Sequence, residues 1–276
     1  MSALLNYAPT PDRSGDWWPI PGAVARPLAL VERKIIIYRH TWPVLLAEIF
    51  EPVLYLLSIG IGIGALVGGL TSLGSHPVRY AAFVAPALLA TAAMNGAMNE
   101  TTFNIFAKLR LDGTYQSMLA SPLSVRDIAA GEVAWAALRG TLVSSTFLAV
   151  LAATGLVSSP WALLIPAGAV AIGFAFAAAG LAVVTYLRNW QDFQYVQLVM
   201  LPMFLFATTF YPVSVYPRPV QIAVECLPLY QGIQLLRGAA LGEVGVQLLW
   251  AALYLAAMGA LCLVVALHRL QQTLTH

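Results

Sequence analysis

Six stretches of this chain are long and apolar enough to cross a bilayer, and that constrains the fold more than anything else in the sequence. They run roughly Trp42–Val67, Ala81–Phe106, Ile128–Ala153, Ala162–Leu187, Val196–Tyr211 and Gln247–His268. A hydrocarbon core about 30 Å thick takes about 20 helical residues. Only 9% of the residues are charged and 60% are hydrophobic, against about 25% charged in soluble domains. The expectation is an all-α polytopic membrane protein with six transmembrane helices. The apolar runs are continuous and not alternating, which excludes a β-barrel. A net charge of +2 is too small to point to nucleic acid. Cys226 and Cys262 make no disulfide framework, and Cys262, inside an apolar run, reads as a small buried hydrophobe.

The segments between the runs set the organisation. Residues 1–22 are rich in Pro, Trp and Asp, lack the apolar core of a signal peptide, and read as a flexible cytoplasmic tail. Residues 23–276 read as a single transmembrane domain. Within it, residues 23–40 alternate Leu28, Leu30, Val31, Ile35 and Ile36 with Arg26, Glu32, Arg33, Lys34 and Arg39. That pattern suits an amphipathic interfacial helix or a basic flank anchoring the first span. Residues 212–245 hold Pro212, Pro217, Pro219 and Pro228 around an apolar patch too short to cross. They read as re-entrant or interfacial helices before the last span.

Basic residues give the orientation. Ten fall on the inner side when the N-terminus is inside: Arg13, Arg26, Arg33, Lys34, Arg39, Lys108, Arg110, Arg126, Arg188 and Arg269. Arg79, Arg218 and Arg237 fall outside, and Arg139 lies within the third run. Cationic loops stay in the cytoplasm, so both termini are expected there. Trp42 and Trp190 then mark the inner interface, Trp161 and Trp250 the outer.

The chain has two lysines, Lys34 and Lys108, and neither follows a glycine. A phosphate-cradling loop needs Gly before its Lys and Ser or Thr after it. Neither lysine meets that requirement, so uphill transport would draw on a partner subunit or an ion gradient. Histidines His40, His76, His268 and His276 show no metal-ligand spacing, and no nucleophile elbow is present. An enzyme reading has no positive support. No internal repeat is visible, which weighs against an ion-coupled carrier built from two related halves.

Candidate functional residues fall into four groups. The loop after the second run contains Asp112 as a helix cap, a short helix over 113–120, and Pro122. There Tyr115, Met118 and Leu119 share a face, which suits docking into a cytoplasmic partner, or dipping into headgroups. Glu48, Glu51, Glu100, Glu132 and Arg139, with Asn95 and Asn99, are polar groups in or near spans. Such groups face protein, water or headgroups. They serve either a pathway or structural ion pairs, and their placement toward the cytoplasmic ends favours the pairs. Glu132 and Arg139 are two turns apart, too far to pair directly, and Arg139 has no partner visible in the sequence. Gly60, Gly64 and Gly68 form a small-residue ladder for close helix packing. Met200, Met203, Phe204, Phe206 and Phe210, with Thr209 adding polarity, form either a soft path for greasy substrates, centred on Met203, Phe206, Thr209 and Phe210, or ordinary packing.

A resemblance then enters. Ala85-Pro86 through Met94-Asn95 and Asn99-Glu100 to Phe106 resembles the second span of the nodulation protein J family of type-2 ABC exporter permeases. So do Thr114-Tyr115-Gln116-Ser117-Met118-Leu119-Ala120-Ser121-Pro122, Glu51-Pro52, Pro202-Met203-Phe204, Thr209-Phe210-Tyr211-Pro212 and Leu227-Pro228-Leu229-Tyr230. The resemblance covers about residue 27 to the end. It implies an ATPase-coupling helix carrying Thr114, Tyr115, Gln116, Met118 and Leu119. It also implies a pair of permeases over two separate ATPase subunits, which bind ATP and Mg while this chain binds no cofactor. The implied location is a bacterial inner membrane, among membrane lipids. The implied substrate is amphipathic: a lipo-oligosaccharide, a glycolipid or a hydrophobic drug. The competing class is an ion-coupled transporter using the intramembrane carboxylates.

Overall fold

The computed structural model describes residues 22–39, 42–67, 69–70, 78–156 and 159–275. The tail up to Pro21, His40, Gly68, His76 and His276 lie outside the described residues.

The chain folds into ten α-helices among the described residues: α1 (Gly22–Tyr38), α2 (Trp42–Val67), α3 (Tyr80–Asn99), α4 (Thr114–Leu119), α5 (Val125–Ala153), α6 (Ile165–Val184), α7 (Phe193–Phe206), α8 (Arg218–Glu225), α9 (Pro228–Leu241) and α10 (Val246–Thr275). A two-residue antiparallel pair, β1 (Gly69–Leu70) with β2 (Val78–Arg79), closes the connection from α2 to α3. Four helical stretches are long and apolar enough to span: Tyr80–Leu111, Val125–Ala153, Pro160–Val184 and Val246–Leu274. The α2 helix has 26 residues, about 39 Å of helix. The α7 helix has only 14, about 21 Å, so the fifth apolar run is helical for less than a bilayer thickness. It ends because Thr208 takes a left-handed φ of 62°, a conformation unfavourable for a β-branched residue.

The proline-rich region resolves into two helices, divided where Pro228 opens α9. The second is no surface element. Its Leu229, Ile233, Leu236 and Arg237 are buried, and it packs on α3, α6 and α10. Arg237, counted above as an outer-side charge, is therefore inside the fold. Cys262, expected to be buried, is only partly covered, and Cys226 is exposed.

Helices α3 and α6 form the centre. Small residues let them approach. A Cβ on Gly180 would run into the Thr101 Oγ1 and lie 3.2 Å from the Thr101 Cβ. Thr101 cannot swing away, since its hydroxyl donates to the Ala97 carbonyl at 2.7 Å. Gly180→Val is expected to cost about 1–3 kcal/mol by overpacking, read as a lower apparent melting temperature in lipid nanodiscs. Gly60 and Gly64 of the glycine ladder both face α3 of the same chain: added methyls would meet Ala81 at 3.2 Å and Tyr80 at 3.9 Å.

The α1 helix turns one apolar and one charged residue inward. Val31 and Lys34 are buried while Leu28, Ile35, Ile36 and Ile37 are exposed. It lies on α5, with Arg26 reaching Asp127 at 3.9 Å. Helix α5 begins with a capping box, Ser124 and Asp127 bonding each other's backbone N–H.

Candidate functional site

Three cations and three carboxylates meet where α1, α2, α3 and α5 converge. Helix α3 does not stop cleanly. It continues as π-helical turns over Glu100–Asn104 and Ala107–Leu111. Such widened turns re-aim side chains and recur at functional sites. Here they put Glu100 and Lys108 toward α5.

Glu100 is 1% exposed. It accepts from Lys34 Nζ at 2.9 Å, Tyr38 OH at 2.8 Å and Asn104 Nδ2 at 2.7 Å, and pairs with Arg139. Glu132, 4% exposed, pairs with Lys34 and accepts from Lys108 Nζ at 2.9 Å and Tyr115 OH at 3.0 Å. Arg139 donates through Nε to Glu48 at 3.1 Å and through Nη1 to Tyr38 OH at 2.8 Å, and forms a second, close contact with Glu48. So Arg139 has three partners on three other helices, all distant in sequence. Both lysines of the chain sit on Glu132. Lys34, Lys108 and Arg139 balance Glu48, Glu100 and Glu132, which removes the main objection to burying so many charges. Trp135 adds a face beside Lys34, 5.8 Å away, and packs on Tyr38 at 4.9 Å.

Burial alone pulls the Lys34 ammonium pKa down, but Glu132 and then Glu100 outweigh it, so the net direction is up and Lys34 stays charged. Burial and the neighbouring carboxylates push the Tyr38 and Tyr115 phenols up. Both remain hydroxyl donors.

Helix α4 holds the loop's predicted functional residues but turns them differently from expectation. Its N-cap is Gly113 with a left-handed φ of 59°, and no side chain caps it. Asp112 instead ends the π turn, its N–H bonding the Ala107 carbonyl. Glycine at 113 lets the chain reverse there without strain. Tyr115 is 1% exposed and points at Glu132, so it is no surface contact. Its hydroxyl makes the inward side of α4 the better-satisfied one. Gln116, Ser117 and Ala120 are exposed, and Thr114, Met118 and Leu119 are partly covered.

Beside the cluster lies a cleft of 350 Å³. Helix α2 lines it with Glu48, Glu51, Pro52 and Tyr55. Helix α3 contributes Thr91, Asn95 and Asn99 among others, and α7 contributes Gln197, Met200, Leu201 and Phe204. On each helix the lining residues recur at three- and four-residue spacing, one face per helix. The volume suits a small ligand or part of a larger one. Four embedded polar residues named from sequence, Glu48, Glu51, Asn95 and Asn99, line this cleft. Glu100 and Arg139 belong to the cluster. Glu48 belongs to both. Of the soft residues named on the fifth run, Met200 and Phe204 line the cleft and the others do not. Met203 is buried, Phe206 is exposed, Thr209 bonds back to the Phe204 carbonyl at 2.8 Å, and Phe210 packs on Phe204 at 5.4 Å.

Spanning-length helices with a charge-balanced cluster beside a polar cleft fit a membrane permease. The ABC-2 type transporter family matches residues 28–241, and the chain belongs to that family. It is 32% identical to nodulation protein J of Rhizobium leguminosarum bv. trifolii, over 81% of this chain and 84% of the relative. It is 34% identical to nodulation protein J of Sinorhizobium fredii, over 73% and 75%. Against nodulation protein J of Neorhizobium galegae it is 31% identical over 81% and 84%. Permeases of this family are transporter subunits, work with ATPase subunits and reside in membranes.

Proposed function

We propose that this chain exports an amphipathic molecule across a bacterial inner membrane, both termini cytoplasmic, as a homodimer above two ATPase subunits. The substrate class is a lipo-oligosaccharide or glycolipid, with hydrophobic drugs second. In this reading α2 and α7 complete a set of six spans, and α8 and α9 form the re-entrant element. The cleft takes the substrate's polar part from the inner leaflet, with Glu51, Asn95, Asn99 and Gln197 supplying hydrogen bonds.

One observation carries the proposal: a continuous run of side-chain bonds joins α4 to the cleft. Tyr115 holds Glu132, Glu132 holds Lys34, Lys34 holds Glu100, Glu100 holds Arg139, and Arg139 holds Glu48 in the cleft wall. ATPase closure would press on α4 and α1, which frame a 230 Å³ cavity lined by Arg33, Asp112, Thr114 and Met118. A shift there reaches the cleft without crossing a loosely packed region. The ion-coupled alternative is weakened because Glu48, Glu100 and Glu132 are already neutralised by cations. Glu51 is left as the one cleft carboxylate without an ion pair among the described residues.

The test is a gentle detergent purification of the full-length chain from its host. A stoichiometric P-loop ATPase should accompany it, and Gln116→Arg with Ser117→Arg should release that ATPase while leaving the permease monodisperse. A chain that purifies alone under several detergents sinks the reading.

A further inference from the structure

A second cavity, of 550 Å³, opens at the other end of the bundle from α4, where α9, the start of α10 and the segment after α7 surround the N-terminal turn of α3. Its lining includes Glu225, Gln231, Gln234, Arg237, Glu243 and Trp250. No residue of the cleft or the charge cluster takes part.

Arg237 is the anchor. It is 4% exposed. Its guanidinium donates to the Phe83 carbonyl at 3.3 Å and the Thr208 carbonyl at 2.8 Å, and its charge lies 3.8 Å over the Phe83 ring. It forms no salt bridge among the described residues, and its Nη1 has no partner among them. A buried cation held this way keeps one donor nitrogen for the cavity. The acceptors are equally available. Gln231 donates its amide N–H to the Glu225 carbonyl at 2.6 Å, and Gln234 donates to the Tyr230 hydroxyl at 2.8 Å. Both amide oxygens are left without a partner among the described residues. The Glu225 and Glu243 carboxylates make no ion pair among the described residues. Trp250 is 67% exposed, an aromatic plane at the rim.

This lining suits a neutral, hydroxyl-rich ligand. A phosphate or carboxylate would meet two carboxylates against one guanidinium. A hydrocarbon tail would offer no hydrogen bond to the Glu225 and Glu243 carboxylates, the Gln231 and Gln234 amide oxygens or the Arg237 guanidinium. A run of neutral hydroxyls satisfies donors and acceptors together, and a sugar ring presents a C–H face to an indole. We infer that this cavity binds the uncharged saccharide portion of a substrate. The inference rests on the exporter reading for its meaning: the sugar would be received there after crossing, before release from the outer leaflet.

The test is saturation-transfer NMR on the full-length chain in lipid nanodiscs, with cellotetraose, its N-acetylated amino-sugar counterpart and a sulfated tetrasaccharide as probes. A neutral tetrasaccharide should bind. Trp250→Ala and Glu243→Gln, both at exposed positions, should each weaken it by about tenfold, the scale of one lost stacking or charged hydrogen-bond partner. Unchanged melting temperatures would show that the variants fold. Absence of signal from both neutral probes, signal unchanged in both variants, or tighter binding of the sulfated probe would each overturn the inference. ATPase co-purification is scored on the same preparations. A bound ATPase without sugar binding removes this inference and spares the exporter reading, and sugar binding without an ATPase does the reverse.

Discussion

Glu132→Leu is expected to cost the folded chain about 3–5 kcal/mol, the range for breaking a buried ion pair from one side. The substitution takes from Lys108 the carboxylate it pairs with, leaves Lys34 with Glu100 alone, and leaves Tyr115 with a buried hydroxyl that has lost its acceptor. That is a large share of a typical folding free energy. It should appear as a strong drop in apparent melting temperature by fluorescence-detected size exclusion. Adding Lys34→Leu restores the balance to two cations and two anions, and should recover more than half of the loss. The pair of variants separates charge balance from packing. If Glu132→Leu melts like the parent, the cluster does not hold the helices together. If the double variant is worse than the single, the lysine contributes through its stem and its contact with Trp135.

Asn95→Trp is expected to reduce export to background while leaving the ATPase bound. Asn95 sits midway along the cleft face of α3, and an indole there occupies space between α2 and α7 needed by any substrate. The control is Leu261→Trp, which adds the same bulk to an exposed position of α10 and should leave export unchanged. Transport by inverted membrane vesicles carrying the complete transporter, with retained ATPase measured in parallel, reads both. Full export by the Asn95 variant would remove the cleft from the substrate path.

The bundle's main elements were legible because a bilayer imposes a length and a composition that no soluble fold shares. Helices α3, α5, α6 and α10 lie within a few residues of their apolar runs. The embedded carboxylates were legible for the same reason: a charge inside an apolar run stands out. Their partners did not. Lys34 sits among Arg33 and Arg39 on a helix whose pattern assigns basic residues to headgroups, and only the packing of α1 on α5 turns it inward. Tyr115 scored as apolar beside Met118 and Leu119, because helical spacing gives a face but not what that face meets. On α7 the soft residues Met200 and Phe204 line the cleft together with Gln197 and Leu201, whereas Met203 and Phe206 fall on other faces of the helix. Arg237 was assigned to an outer loop because prolines broke the apolar pattern around it. Its cover comes from α3, more than a hundred residues earlier. Each miss is a tertiary contact that local sequence does not encode.

The arrangement around Glu132 also sets how this protein meets amine-directed reagents. Both lysine ε-amines in the sequence are held by Glu132, and Lys34 by Glu100 as well, with the Lys34 side chain 11% exposed and that of Lys108 23%. Acylating or crosslinking agents should therefore modify the resting protein slowly, and Lys108 before Lys34. Any working step that draws Glu132 on α5 away from α1 and from the π-helical end of α3 would loosen both amines together. Their rate of modification during ATP turnover is thus a native clock for the opening of the cluster, read by mass spectrometry without a fluorophore or an engineered cysteine.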